Sequence, residues 1–94
     1  MNYIHLIFDE SITVLLGNDF GVKTYIEQIK NKLDFEQKNI IIFDDKIRII
    51  AISFVKGVFS ELLEKYDVNE LKKIIDIKCQ NKNLEKEVWE ALEF

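Results

Sequence analysis

The run Ile40-Ile41-Ile42-Phe43 constrains this chain more than any other feature, because it is apolar at every position with no alternation. Successive side chains of a strand point to opposite faces, so this one would offer oily surface on both sides. β-Branched residues favour the pleated, extended backbone over a helix. A strand of that kind belongs in the middle of a sheet with both faces covered. Asn39–Phe43 is therefore predicted to be the centre of the fold, and the rest of the chain must supply neighbouring strands and helical cover.

Upstream, the residues from Tyr3 to Phe8 are apolar with His5 among them, and the run ends at Asp9-Glu10-Ser11, a polar trio suited to a turn. The next stretch, Ser11 to Leu16, alternates, with Ile12, Val14 and Leu16 on one face and Ser11, Thr13 and Leu15 on the other. Two strands joined by a tight turn predict a β-hairpin. Gly17-Asn18-Asp19 breaks the second strand, and Asn18 or Asp19 can cap a helix over about residues 19–34. Val22, Ile26, Ile29 and Leu33 form its inner stripe, while Lys23, Glu27, Lys30 and Asn31 point outward.

Downstream, Asp44-Asp45-Lys46 turns the chain, and Ile47, Ile49 and Ile50 lead into Ala51-Ile52-Ser53. Ser53 is placed to cap a second helix, since Phe54, Val55, Val58, Phe59, Leu62, Leu63 and Tyr66 follow at helical spacing. Gly57 inside it costs about 1 kcal/mol against alanine, and its missing side chain would let the helix approach the sheet closely. Asp67-Val68-Asn69 reads as a connection, Ile74 to Ile77 as the last strand, and Gln80 to Asn83 as the approach to a third helix. Leu84, Val88, Ala91 and Leu92 are that helix's inner stripe, with Trp89 on its flank. The expected order is β-β-α-β-α-β-α. It describes an α/β fold with a mixed four-stranded sheet: the later strands parallel through right-handed crossovers, the opening hairpin an antiparallel edge, the helices mainly on one face.

Ninety-four residues make one domain, spanning 1–94. The net charge of −4 repels a polyanionic backbone, and the lysines Lys72, Lys73, Lys78, Lys82 and Lys86 are interrupted by Asp76, Glu85 and Glu87, so no nucleic-acid partner is expected. The N-terminal apolar stretch lacks a positive leader and is too short for a signal peptide, and nothing approaches the roughly 20 apolar residues of a membrane span. A cytoplasmic location and no membrane partner are the expectation. Cys79 is the lone cysteine and His5, on the first expected strand, the lone histidine that could serve it as a base; Cys79 reads better as a partly buried bystander thiol, and a thiol–imidazole pair is not expected. With no glycine-rich phosphate loop, nucleophile with a base, or cluster of metal ligands, the chain reads as a non-enzyme without cofactor or metal.

The stretch Ile40-Ile41-Ile42-Phe43-Asp44-Asp45-Lys46-Ile47-Arg48-Ile49-Ile50-Ala51-Ile52-Ser53-Phe54-Val55-Lys56-Gly57 runs from a central strand through a turn into a hydrophobic residue, a serine and a helix. In this it resembles the STAS domain family of bacterial anti-sigma factor antagonists, and more closely the short STAS-like domains, whose helix also opens on a serine and a phenylalanine. The element order extends the resemblance over nearly the whole chain. It implies a regulatory module that binds a protein, an ATPase of the histidine-kinase type, and whose serine, at the position of Ser53, is phosphorylated to switch binding off. Two positions depart from the antagonist pattern: Ala51 stands where an aspartate is usual, and Phe54 where a glycine follows the serine.

Each candidate has a plain reading beside the functional one. Ser53 could simply cap the helix, or it could carry a phosphate that the helix N-terminus would stabilise. Asp44 and Asp45 could hold a cation or only make a turn. The surface implied for a partner takes in Asp44, Asp45, Ala51, Ile52, Ser53, Phe54 and Lys56, with Trp89 as an aromatic candidate beside Phe94. If the helices cover one sheet face, the other carries Tyr3, His5, Leu15 and either Ile41 or the pair Ile40 and Ile42, which predicts a homo-oligomer or a hetero-complex. Length, acidity and an isoleucine-, lysine- and asparagine-rich composition also fit a second reading: a small inhibitor from a phage or other mobile element that blocks a host enzyme.

Overall fold

In the computed structural model, which describes residues 1–93, the apolar run does become the central strand. Strand β1 (Asn2–His5) lies on one side of β3 (Asn39–Ile42) and β5 (Ile75–Lys78) on the other, all parallel. The register sets Tyr3, Ile40 and Asp76 on one rung and His5, Ile42 and Lys78 on another, with Ile4, Ile41 and Ile77 between them.

The expected hairpin and the mixed four-stranded sheet do not form. Strand β2 (Val14–Leu15) pairs in parallel with β4 (Ile49–Ile50) as a separate two-stranded sheet. The physical reason lies in the parallel pairing of β1 with β3, which occupies the inner edge of β1, while the side chain of Gln28 takes the backbone groups of Ile7 on the outer edge, where a hairpin partner would continue. The side-chain amide of Gln28 meets β1's chain on its outer side, accepting from Ile7 N–H at 2.7 Å and donating to Ile7 C=O at 2.8 Å. The polar trio makes a turn all the same, closed by Ile12 N–H on Asp9 C=O, and Ile47 N–H on Asp44 C=O closes a matching turn after β3. The Lys46 ammonium sits between them and donates to the carbonyls of Phe8 at 3.0 Å and Asp9 at 2.8 Å. The β1/β3 pair thus turns together and pairs again as β2/β4.

Helix α1 (Asn18–Thr24) continues through a π turn (Tyr25–Ile29) and a 3₁₀ turn (Lys30–Lys32). Gly17, with φ of 101°, stands at its N-cap in place of Asn18 or Asp19. Its buried residues are Gly21, Thr24, Tyr25 and Ile29, whereas Ile26, expected inside, is 53% exposed. Two features rotate the stripe. A Cβ on Gly21 would collide with the Phe54 carbonyl oxygen, and one on Gly57 with the Asn18 carbonyl oxygen, so α1 crosses α2 (Ile52–Leu63) backbone to backbone. The π turn then inserts extra arc that a 3.6-residue period does not count. Gly57 therefore serves a close approach to α1, and the expected approach to the sheet is not its role.

Asp67 begins a helix that the sequence reading placed in a connection. Its carboxylate accepts from Glu70 N–H at 2.8 Å while Glu70's accepts from Asp67 N–H at 3.1 Å, a reciprocal cap on α3 (Val68–Ile74). The last helix, α4 (Lys82–Ala91), starts at Asn81 and buries Leu84, Val88, Ala91 and Leu92 as its spacing predicts. The element order is β-β-α-β-β-α-α-β-α.

All four helices contribute to one core with the inner residues of the sheet, among them Ile4, Leu6, Ile41, Phe43, Ile75 and Ile77. Asn39 is fully buried within this frame and fully bonded. Its Oδ1 accepts from Asp34 N–H at 2.9 Å and Asn2 Nδ2 at 2.7 Å, and its Nδ2 donates to the carbonyls of Asp34, Gln37 and Ile74. One amide thereby joins β1, β3, the loop before β3 and the end of α3. No helix among the described residues is long and apolar enough to cross a membrane.

Candidate functional site

Ser53 lies one residue inside the helix it was expected to cap. Ala51 is the N-cap, with an extended backbone and no side-chain bond to the helix, and its N–H donates to Leu15 C=O at 2.8 Å as its C=O accepts from Val55 N–H at 3.1 Å. Bonded on both sides in this way, Ala51 ends β4 and starts α2 in one step, which leaves Ser53 in the first turn. The half-buried Ser53 hydroxyl instead accepts from Gly17 N–H at 3.0 Å. It clasps the β2–α1 junction to the start of α2, across 36 residues of chain.

Exposed apolar residues adjoin this clasp in the chain, Leu16 before Gly17 and Ile52 before Ser53. Val14 and Ile49 are register partners, 42% and 55% exposed, while the next pair, Leu15 and Ile50, is buried. Leu16 follows on Val14's side of the strand and Ile52 opens α2, 65% and 49% exposed. The short β2/β4 pair thus turns one side to the core and a continuous apolar side to water. Val14, Leu16 and Ile49 were not singled out from the sequence as contacts. The available signal was the alternation that sets Val14 and Leu16 on one face opposite Leu15.

The other expected contacts are scattered. Lys56 is exposed and lines a shallow depression with Asn18, Ser60, Leu63 and Leu92. Phe54 cannot meet a partner: it is wholly buried, packed edge-on against Phe8 and Phe20 with ring centres 6.3 and 5.3 Å away. Asp44 accepts from Lys46 N–H at 3.0 Å as part of the turn. Asp45 faces a different depression, shared with Tyr3, Ile42 and Lys78. Trp89 is half-buried on α4, tilted against Phe59 with the Lys72 ammonium 5.6 Å from its ring centre, and Phe94 lies outside the described residues.

Chemistry at the remaining candidates is limited. Cys79 belongs to the core, and burial pushes its thiol up to about 11, with the charge of Glu85 adding to the effect and Lys82 opposing it. A thiol held protonated in this way is a poor nucleophile. His5 is exposed on the opposite, outer side of β1, so the strands hold the two apart. Among the described residues no group of three or more His, Cys, Asp or Glu side chains could hold a metal ion. No family model, curated protein or solved structure matches the chain.

Proposed function

We propose that this chain is a non-catalytic, STAS-like regulatory module that binds a protein partner, an ATPase of the histidine-kinase type, through the Ser53 end. The observation that carries the reading is the exposed strip of Val14, Leu16, Ile49 and Ile52, whose Leu16 and Ile52 adjoin the Gly17–Ser53 bond in the chain. Apolar side chains gathered on a folded surface mark a place where burial against another surface is favourable. A serine beside them can control that burial.

A phosphoryl group on Ser53 would add about two negative charges beside the strip and make its wetting by water far more favourable. The first amides of α2 have no side-chain cap and would hold the group in place. The Gly17 N–H would lose a good acceptor at the same time, since an ester oxygen accepts weakly. Charge and loosening both act against docking.

The test is capture of the partner from native lysate by tagged wild-type chain, Ser53→Ala, Ser53→Asp and Ile49→Asp, with the captured proteins identified by mass spectrometry. Wild type should retain a kinase-type ATPase, Ser53→Ala, which opens the clasp but adds no charge, should retain it somewhat more weakly, and the two aspartate variants should lose it by about ten-fold or more. Equal capture by all four variants contradicts the proposed surface. Recovery of a defence enzyme in place of an ATPase would turn the reading toward the mobile-element inhibitor.

A further inference from the structure

The outer face of the three-stranded sheet, which the first turn of α4 borders through Lys82 and Glu85, has a pattern of its own. Along β1 the outward residues are Tyr3 and His5, along β3 Ile40 and Ile42, along β5 Asp76 and Lys78. Met1 and Ile7 extend the β1 row at its two ends, and both are strongly exposed, 77% and 76%. Each strand therefore carries two residues that complement one another: opposite charges on β5, an aromatic ring and an imidazole on β1, and apolar with apolar on β3, where Ile42 is partly exposed and Ile40 is buried beneath its neighbours.

A two-fold axis lying in the plane of this face, perpendicular to the strands and level with Ile41, places each strand over its own copy running in the opposite direction. The rung Tyr3–Ile40–Asp76 of one chain then meets the rung His5–Ile42–Lys78 of the other. Asp76 faces the second chain's Lys78 twice over, Ile40 faces its Ile42, Tyr3 faces its His5, and Met1 faces its Ile7. A two-fold interface must be self-complementary, residue i meeting j while j meets i, and the exposed residues of β1 and β5 meet that condition. Packed sheets keep their strands within about 30° of alignment, which this arrangement allows.

We propose that the partner of this face is a second copy of the chain, forming an antiparallel, sheet-on-sheet dimer about that axis. The face is small, so the dimer is weak and concentration-dependent. It leaves the strip beside Ser53 free, and it stands or falls separately from the proposed function.

Sedimentation velocity over a micromolar to submillimolar series tests it, on wild type, Asp76→Lys, Lys78→Asp and the double swap carrying both changes, each checked for fold by far-ultraviolet circular dichroism. Wild type should dimerise, each single variant should do so about ten-fold more weakly because two like-charge contacts appear per dimer, and the double swap should recover wild-type association. A wild type that stays monomeric overturns the proposal. So do single variants that dimerise like wild type, or a folded double swap that fails to recover.

Discussion

Asn39 and Cys79 show what a residue can do that its type does not announce. Asn39 reads in sequence as the polar edge of an apolar run, yet its amide is fully buried and joins four parts of the chain. Its partners Asn2 and Ile74 are 37 and 35 residues away, a relation no local pattern carries. Asn39→Ala should destabilise the fold by about 2–4 kcal/mol in a denaturant titration, because Asp34 N–H and several carbonyls lose their partner together. Cys79 has a pH signature. Its folded-state thiol is raised from an ordinary 9.0 to about 11, so its contribution to stability is complete below about pH 9 and declines as pH rises toward 11, where the unfolded chain has already released the proton. Thermal melts of wild type should fall across that window, and Cys79→Ala should flatten the decline. The burial of Tyr25, with Glu61 beside it, raises its hydroxyl too and adds to the decline at the upper end.

At the scale of elements, the helices divide by what surrounds them. The spacing of α4 was legible because it packs by one regular face, and Leu84, Val88, Ala91 and Leu92 are all buried. That of α1 was not, because a glycine crossing and a π turn set its rotation, and both depend on α2. The capping pair of Asp67 and Glu70 was visible as D-x-x-E and passed over, since the short α3 has little apolar period to support it. The crossing gives a test of sign. Helix propensity alone says that Gly57→Ala stabilises by about 1 kcal/mol. The collision with the Asn18 backbone says that it destabilises, by about 2 kcal/mol or more, and Gly21→Ala likewise. Chemical denaturation decides between them, and a stabilised Gly57→Ala would mean that the helices are not in contact there.

For the whole molecule, the central strand and the alternation of strands with helices could be read from the chain. The direction of β2 could not, because a polar turn after a strand suits both a hairpin and a bend, and the choice is made by what already occupies the two edges of β1. The same limit held at the surface: Ser53 and Ile52 were legible as a helix start, but the strip that joins them to Val14, Leu16 and Ile49 exists only once β2 and β4 pair in parallel. Acid should weaken the fold as a whole. Hydrogen bonds from Ser11 hold Asp9 below the ordinary carboxylate range, those from Gln37 and Glu36 do so for Asp34, and that from Lys30 for Glu61. Their contribution is present above the unfolded carboxylate range and is lost as pH falls below about 4, which a series of melts would register. The proposed partner sits on the strip of Val14, Leu16, Ile49 and Ile52. Hydrogen exchange read by mass spectrometry, with and without the captured ATPase, should show slowed exchange at residues 13–17 and 49–56 and no change at Tyr3–His5; slowed exchange confined to the outer sheet face or to α4 would contradict it.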